Sequence, residues 1–261
     1  MKENNSNLLV DCPLPTSFFT IPLKLIDQTF STPEENLACD EALLDVVEDG
    51  GEDEILRFWE SGRHFVVLGS SNKLPEEVHV DRCRENSIPV LRRHSGGGTV
   101  LQGPGCLNYS LVLRIDLNGP TRNITETTHH IMSRHAHVLS TVLDEKVEIN
   151  GSSDLTLGGR KFSGNAQRRR LRALLFHGTI LHSFNLELIE KYLKLPPKQP
   201  AYREHRPHQQ FVRNVPVDSR VVKSEFARIW NVSGELVQLP YAGIVELVRA
   251  KYSQRDWTFK H

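Results

Sequence analysis

Residues 92–100 (RRHSGGGTV) join two arginines to a run of three glycines, a combination suited to binding an anion. Glycine has no Cβ, so Gly96, Gly97 and Gly98 are free to adopt positive φ angles and to let the backbone approach a ligand closely. Successive N–H groups of this glycine loop, residues 95–99, can surround an anionic group. The spacing matches neither the P-loop nor the GxGxxG fingerprint. A flexible surface turn is the alternative interpretation.

Residues 159–166 (GRKFSGNA) contain a lysine, Lys161, that could complete such a site. A lysine at a strand edge facing the glycine loop would place a compact cation against a carboxylate and a phosphate at once. Activation of a carboxylate by ATP requires this, because charge builds on both partners while the acyl oxygen attacks the α-phosphorus. A solvated strand lysine is the other interpretation of Lys161.

The composition of the chain excludes several classes of protein. Its 261 residues carry 32 Lys and Arg against 32 Asp and Glu, so it lacks the basic excess of a nucleic-acid binder. The four cysteines are scattered without a CxxC pair, which is typical of a reducing compartment. No apolar stretch approaches the roughly 18 residues of a membrane span, and the N-terminal residues do not form a secretory signal. We therefore expect a cytoplasmic protein that binds neither nucleic acid nor membrane.

The elements that must position these motifs form a mixed order of helices and strands. Apolar runs predict strands near residue 21 and over 54–59, 65–68, 89–91, 107–115, 147–149, 155–157, 161–168 and 173–181. Start and stop signals predict helices from Thr32-Pro33 to Gly50 and over 75–86, 125–143, 186–193, 219–230 and 241–252. Gly158-Gly159 is a predicted hairpin turn, and 198–214 a predicted extended loop. The order favours an α+β fold, with a mixed, mostly antiparallel sheet flanked by helices.

Taken together, the motifs resemble the lipoate–protein ligase and octanoyltransferase family over roughly residues 20–215. RRHSGGGTVLQGPGCLNYSLVL resembles its glycine-rich signature, GGRKFSGNAQRR its lysine segment, HGTIL at 177–181 its H-G-T strand, and NLACDE at 36–41 its first helix. The resemblance implies a class II synthetase-like biotin/lipoate ligase fold. It places the catalytic domain at 19–217, a flexible tail at 1–18 and a small helical C-terminal extension at 218–261.

The same resemblance implies which residues bind ATP and lipoate. They are Arg93, Ser95, Gly96, Gly97, Gly98, Thr99, Val100, Leu101, Asp154, Lys161, Ser163, Gly164, His177 and Gly178. Lys161 is the implied catalytic residue, contacting the acyl carbonyl and the phosphate. Asp154 is the implied ligand of Mg²⁺, which binds phosphates through few protein carboxylates and several waters; a turn residue after Ser152-Ser153 is the other interpretation of Asp154. Leu107 and Leu111 are candidates for contact with the acyl chain, although Leu111 is equally suited to the core.

Family members that transfer acyl groups through a thioester carry a cysteine shortly before the lysine segment. Here residues 148–154 (EINGSSD) contain none, and a serine without an adjacent base is a poor nucleophile. Cys106 is the cysteine nearest to the glycine loop, and we expect it to be a small buried residue. These features favour an ATP-dependent ligase. An ATP-independent acyltransferase between carrier proteins and a non-enzymatic acyl-binding module are the alternatives.

The resemblance also implies a partner, an acceptor lipoyl-domain protein whose lysine receives the acyl group. Some ligases of this type have a sizeable C-terminal accessory domain, whereas the extension here is short. Either the short extension suffices or a separate accessory subunit supplies that part. The basic stretch 168–172 (RRRLR) is either a solvated hairpin tip or a docking patch for an acidic acceptor.

Overall fold

A computed structural model describes residues 22–261, so the predicted tail at 1–18 lies outside the described residues. The strands are β1 (Lys24–Asp27), β2 (Ile55–Trp59), β3 (Phe65–Leu68), β4 (Val90–Arg92), β5 (Val100–Gln102), β6 (Cys106–Arg114), β7 (Val147–Asn150), β8 (Asp154–Leu157), β9 (Arg160–Ser163), β10 (Asn165–Arg169) and β11 (Ala173–Leu181). The helices are α1 (Pro33–Glu48), α2 (Leu74–Glu77), α3 (Val80–Glu85), α4 (Ile124–Leu143), α5 (Glu187–Tyr192), α6 (His208–Phe211), α7 (Ser219–Ile229), α8 (Tyr241–Leu247) and α9 (Arg255–Thr258).

The strands form one five-stranded sheet and two three-stranded sheets. The large sheet has the order β1-β2-β6-β11-β10, and its pairs are antiparallel except β1 with β2. The small sheets have the orders β4-β3-β5 and β7-β8-β9, and only the β3–β4 pair in them is parallel. The predicted α+β fold with mixed, mostly antiparallel sheets flanked by helices is confirmed.

The five-stranded sheet carries apolar side chains on both faces, and helices cover both. Alternate residues of a strand point to opposite faces. Leu107, Leu111 and Leu113 of β6 pack in one buried cluster with α4 and α7. Val112, between them, packs in a second cluster with α1 and α8. A cavity lies between these elements; Leu37 and Asp40 of α1 line one part of it, and Tyr109 and Phe162 of the first cluster line another.

Helix α1 begins where the sequence predicts. Thr32 is its N-cap, and Thr32 and Glu35 form a capping box in which each side chain bonds the other's backbone N–H. Pro33 occupies the first turn, where its missing N–H costs nothing. The helix ends at Glu48, just before Gly50, as the glycine pair predicts. This start signal therefore fixes the helix that forms one wall of the cavity.

Three predicted elements differ from the structure because tertiary pairing overrides the local pattern. The single helix predicted over 75–86 is split into α2 and α3, since Val78 pairs with Leu193 in a β-bridge. The single strand predicted over 161–168 is broken at Gly164 into β9 and β10, which belong to different sheets. The loop predicted over 198–214 contains a short 3₁₀ turn, Ala201–Arg203, and α6.

Residues 218–261 pack on both faces of the large sheet. Helix α7 contacts α4, whereas α8 and the π-helical turn Val248–Tyr252 that follows it contact α1. Helix α9, which the sequence did not predict, ends against β4, where Trp257 Nε1 donates to Arg92 O at 2.7 Å. The described residues contain no helix long and apolar enough to cross a membrane.

Candidate active site

A cavity of about 490 Å³ is bounded by the five-stranded sheet, the glycine loop and the β8–β9 hairpin. Its volume is in the range of small-molecule sites. Gly96 and Gly97 are the only predicted binding residues that do not line it. Those that do are Arg93, Ser95, Gly98, Thr99, Val100, Leu101, Asp154, Lys161, Ser163, Gly164, His177 and Gly178. The structure therefore brings the separate motifs of the sequence together in one place.

Arg93 holds the glycine loop in its conformation. Its guanidinium donates to Gly98 O (2.8 Å), to Gly96 O (2.5 Å) and to Ser95 Oγ (3.1 Å). Burial lowers the pKa of Arg93 to about 10, so it keeps its charge at neutral pH. Of the three glycines expected to be free for positive φ, only Gly97 uses that freedom, at 87°. Conformational restraint of the loop thus comes from the arginine as well as from the glycines.

Lys161 and Asp154 form an ion pair in the cavity. They lie on the neighbouring strands β9 and β8, and Lys161 Nζ is 2.8 Å from Asp154 Oδ1. The other carboxylate oxygen, Oδ2, accepts a hydrogen bond from Tyr202 Oη at 2.6 Å. A Cβ at Gly164 would lie 2.8 Å from Lys161 Nζ, so a larger residue there would displace the ammonium group from this position. No pattern in the sequence pointed to Tyr202, which comes from the segment predicted to be a loop.

His177 links the glycine loop to the five-stranded sheet. Its Nε2 lies 2.6 Å from Ser95 Oγ. Burial, and secondarily the neighbouring Arg93 and His94, hold the pKa of His177 well below its usual value, so the imidazole is neutral. A neutral ring can accept a hydrogen bond at one nitrogen and donate at the other. His177 therefore fixes the position of the loop without adding a charge to the cavity.

Leu107 and Leu111 do not contact the cavity, which corrects the expectation that they line an acyl-chain site. Both are fully buried against α4, on the opposite face of β6. The residues of β6 that face the cavity include Asn108 and Ser110. Asn108 exchanges hydrogen bonds with Gln102 at 2.7 and 3.0 Å. The alternation of strand residues could have predicted this, because Leu107 and Leu111 lie on one face of β6 and Ser110 lies on the other.

A buried ion pair supports the wall of the cavity formed by α1. Arg57 has no exposed surface, and its guanidinium donates to Asp40 Oδ1 (2.5 Å) and to Asn36 Oδ1 (2.9 Å). The second carboxylate oxygen of Asp40 accepts from Ser110 Oγ at 2.9 Å. The charged pair is therefore almost completely hydrogen-bonded, as a buried pair must be to persist.

A second buried polar cluster connects α1 with the turn after α8. Glu41 accepts hydrogen bonds from Lys251 Nζ (2.8 Å) and Tyr252 Oη (2.7 Å). His94, which precedes the glycine loop, lies 3.3 Å from Tyr252 Oη through its Nδ1. Burial lowers the pKa of His94 to about 4, and Glu41 only partly opposes this. His94 is consequently neutral at physiological pH.

We expect the free energy of unfolding to fall between pH 7 and pH 5. Burial holds the pKa of His94 at about 4 and that of His135 at about 3, below the ~6.5 of an unfolded chain. Their stabilising contribution is complete above pH 6.5 and is lost as the pH falls toward the folded values, by about 2 kcal/mol each at pH 5. Urea unfolding at both pH values measures the loss, and His94→Gln should reduce it. Equal stability at pH 7 and pH 5 would contradict this prediction.

The basic stretch 168–172 is largely committed to contacts within the chain. Arg169 donates to Thr121 O at 2.7 Å, and Arg170 forms an ion pair with Asp45. Arg168 and Arg172 are exposed at the surface. Arg170 is also exposed although it is paired with Asp45, so Arg168, Arg170 and Arg172 are the arginines that a docking partner could reach.

Comparison with known proteins agrees with the geometry of the site. Residues 32–221 match the family model of the lipoyl protein ligase A/B catalytic domain, which is more than half of the chain. The chain belongs to this family and is an enzyme.

Two of its relatives represent two activities. The chain is 24% identical to the lipoate-protein ligase LplJ of Bacillus subtilis, over 89% of this chain and 72% of the relative. It is 25% identical to the octanoyltransferase LipM of Geobacillus kaustophilus, over 91% of this chain and 98% of the relative. Family membership alone therefore leaves open whether the acyl group is activated with ATP.

Solved structures show the same fold. A putative lipoate protein ligase from Thermoplasma acidophilum with bound lipoic acid has a TM-score of 0.76 at 24% identity, covering 92% of this chain and 100% of that chain. A lipoate-protein ligase A bound with ATP has a TM-score of 0.77 at 24% identity, covering 92% of this chain and 99% of that chain. A bi-partite ligase from Thermoplasma acidophilum, described with its E2 lipoyl domain, has a TM-score of 0.76 at 22% identity, covering 92% and 96%.

Proposed function

We propose that this protein is an ATP-dependent lipoate–protein ligase. In the first step a carboxylate oxygen of lipoate, or of octanoate, attacks the α-phosphorus of ATP, which forms acyl-AMP and releases pyrophosphate. In the second step the amine of an acceptor lysine attacks the acyl carbonyl, which forms an amide and releases AMP. The observation that carries the proposal is the Lys161–Asp154 pair beside the glycine loop in one cavity.

Lys161 is proposed as the catalytic residue because its ammonium group can contact both reacting partners. Negative charge grows on the acyl oxygen and on the α-phosphate in the transition state, and a fixed cation in a partly dry cavity stabilises it. Gly98, the glycine of the loop that lines the cavity, is proposed to supply a further N–H donor. Arg93 contributes by holding that loop, as its bonds to Gly96 O and Gly98 O indicate.

Magnesium is proposed to enter as MgATP, and the residues present fit that role. The described residues include no group of three His, Cys, Asp or Glu side chains that could hold a metal alone. Mg²⁺ commonly binds through one or two carboxylates, substrate phosphates and waters. Asp154, which lines the cavity next to Lys161, is the proposed protein ligand. The ATP-bound and lipoate-bound ligases of the same fold support ATP and lipoate as substrates.

The acceptor is proposed to be a lipoyl domain carried by another protein. The bi-partite ligase of similar fold, described with an E2 lipoyl domain, supports this partner. A relative named lipoate-protein ligase A subunit 1, from Thermoplasma acidophilum, is 29% identical over 67% of this chain and 68% of that relative. These relatives also support a separate accessory subunit as a second partner.

An ATP-independent octanoyl or lipoyl transferase is the second candidate, favoured by the similarity to LipM. Transfer through a thioester requires a nucleophilic thiolate. Residues 148–154 contain no cysteine. Cys106 is buried, as expected, and burial raises the pKa of its thiol far above the usual range. Cys106 lines the cavity, but its thiol stays protonated, so the described part of the chain places no thiolate there, which supports the ligase.

Incubation of the protein with lipoate, MgATP and an acceptor lipoyl domain tests the proposal. We expect the acceptor to gain the mass of a lipoyl group while pyrophosphate is released. Omission of ATP should abolish the mass gain. Modification of the acceptor from an octanoylated carrier without ATP would instead establish the transferase.

Cys106→Ala should leave the rate of lipoyl transfer essentially unchanged. The thiol lines the cavity but is buried and protonated, so it has no role in adenylation, and its removal deletes only a small side chain. The rate of acceptor modification measures the effect, and the melting temperature shows whether the variant is folded. A folded Cys106→Ala protein without activity would refute the ligase assignment.

A further inference from the structure

A chain of buried hydrogen bonds runs from α7 through α4 to the wall of the cavity. Trp230 Nε1 donates to His135 Nε2 at 2.9 Å. His135 Nδ1 lies 3.2 Å from Tyr109 Oη, and Tyr109 Oη donates to Asn165 Oδ1 at 2.5 Å. At the end of the chain, Asn165 Nδ2 donates to Ser153 O at 2.5 Å. Because the first three side chains are buried, water does not compete for these bonds.

The chemistry of its members gives this chain one direction. An indole N–H can only donate, so Nε2 of His135 carries no proton. Burial lowers the pKa of His135 to about 3, so the ring is neutral and its single proton is on Nδ1. That proton is donated to Tyr109 Oη, which leaves the hydroxyl proton of Tyr109 for Asn165 Oδ1. The amide group of Asn165 is thereby oriented with its NH₂ toward Ser153.

Asn165 and Ser153 bind each other twice. Besides the bond from Asn165 Nδ2, Ser153 Oγ donates to Asn165 O at 2.9 Å. A Cβ at Gly178 would lie 1.7 Å from Asn165 Oδ1, so the glycine of the H-G-T motif is required by the side chain of Asn165. The sequence motif at 177–179 is thus explained in part by a residue that the sequence did not single out.

These two hydrogen bonds between Ser153 and Asn165 join the two halves of the site. Ser153 precedes β8 in the small sheet that carries Asp154 and Lys161. Asn165 begins β10 in the large sheet that carries His177. The Ser153–Asn165 contact therefore helps to set the distance between the lysine and the opposite side of the cavity.

We propose that Tyr109, His135 and Trp230 are positioning residues, which hold the Lys161–Asp154 pair in register with bound substrates. The catalytic part of this inference rests on the proposed adenylation. His135 and Trp230 do not line the cavity, so they act only through Tyr109 and Asn165. Misplacement of reacting groups by a fraction of an ångström is enough to slow a reaction.

Tyr109→Phe, which removes one hydroxyl and keeps the ring, tests this inference. We expect kcat for acyl-adenylate formation to fall about tenfold with little change in the KM for lipoate. Trp230→Phe should also lower kcat. Without the indole donor, the single proton of the neutral His135 ring can be on Nε2 instead of Nδ1. The double variant should be no slower than the slower single variant, since both cut the same chain. Unchanged kcat in Tyr109→Phe, or multiplicative effects in the double variant, would overturn the proposal.

Phe226→Leu is the matched control for lost packing. The Phe226 ring stacks on His135 at a centroid distance of 4.0 Å and contacts Tyr109 edge-on at 5.3 Å, but it has no polar atom. We expect a lower melting temperature and an unchanged kcat at temperatures where the protein is folded. A loss of kcat equal to that of Tyr109→Phe would assign the effect to general packing and overturn the inference.

The ¹⁵N chemical shifts of the His135 imidazole provide a readout that does not depend on activity. We expect the Nδ1–H tautomer in the wild-type protein and a population of Nε2–H in Trp230→Phe. An Nε2–H tautomer in the wild type would overturn the proposed direction of the chain. If the wild type forms no acyl-adenylate, the proposed function fails, whereas the tautomer result still decides whether the chain exists.

Discussion

Lys161→Ala should reduce the rate of acyl-adenylate formation by about 10²–10³-fold, the usual effect of removing one preorganised donor to a developing charge. Lys161 Nζ lies in the cavity with 27% of its side chain exposed, so its charge is only partly screened by water. The variant also leaves Asp154 without its cation. Tyr202 still donates to that carboxylate, so we expect the hairpin to stay folded.

Release of pyrophosphate in the presence of lipoate and MgATP measures this effect. Lys146→Ala is the matched control, because Lys146 precedes β7 of the same small sheet but is exposed. Its Nζ lies 3.4 Å from Glu148 Oε1, so it too loses an ion pair. We expect the control to keep full activity. Lys161→Arg should not restore the rate, because a planar guanidinium does not replace a compact ammonium point charge. A wild-type rate in Lys161→Ala would remove this residue from the catalytic role.

Arg57→Met should lower the free energy of unfolding by about 3–5 kcal/mol, the largest stability effect that we expect in this protein. The substitution leaves the carboxylate of Asp40 buried without a counter-ion, with only Ser110 donating to it. It also removes one of the two donors to the side-chain oxygen of Asn36, and leaves the backbone N–H of Phe30 as the other. Methionine fills a similar volume, so the loss reports mainly the unpaired charge.

Urea unfolding of a double-mutant cycle separates the pair from its surroundings. Asp40→Asn combined with Arg57→Met should cost less than the sum of the single changes, because the double variant contains no buried charge at this position. Arg249→Met is the control, since its partner Glu246 is on the surface and such exposed pairs contribute only about 0–1 kcal/mol. A loss in Arg57→Met no larger than that of the control would show that the pair is dispensable.

Local patterns in the sequence predicted those parts of the fold that local physics determines. The bounds of β3 and β11 coincide with the predicted strands at 65–68 and 173–181. Helix α4 begins one residue before the predicted start and ends at the predicted Leu143. The Gly158-Gly159 turn has positive φ at both glycines, 57° and 69°, as the hairpin prediction requires. Each of these features depends on residues that are adjacent along the chain.

The site was predictable as a set of residues but not as a set of contacts. The glycine loop and Lys161 are recognisable from their motifs, whereas the bonds of Arg93 to the loop's own carbonyls depend on the folded loop. Tyr202 reaches Asp154 across 48 residues, and no spacing rule predicts such a pair. Gly164 ends one strand because the next strand joins another sheet, and that choice is made by tertiary pairing.

One residue in the sequence indicated a buried hydrogen bond but not its partners. His135 lies on the apolar face of the predicted helix at 125–143, where a histidine needs a buried partner. The partners, Trp230 and Tyr109, are 95 and 26 residues away in the chain. The sequence therefore indicated that a buried hydrogen bond exists without indicating what it connects.

The ion pair of Lys161 with Asp154 has a consequence for the order in which substrates bind. The carboxylate of Asp154 is paired with the ammonium group of Lys161, to which the carboxylate of the acid substrate would bind. Asp154 would therefore compete with the acid substrate for Lys161. In the proposed reaction, Asp154 would bind the Mg²⁺ that accompanies ATP, and Lys161 would then be available to the acid. Each substrate then strengthens the binding of the other by the same factor, as thermodynamic linkage demands. Under the proposed function, the resting pair would make the two substrates synergistic and would keep the free acid weakly bound until the nucleotide is present.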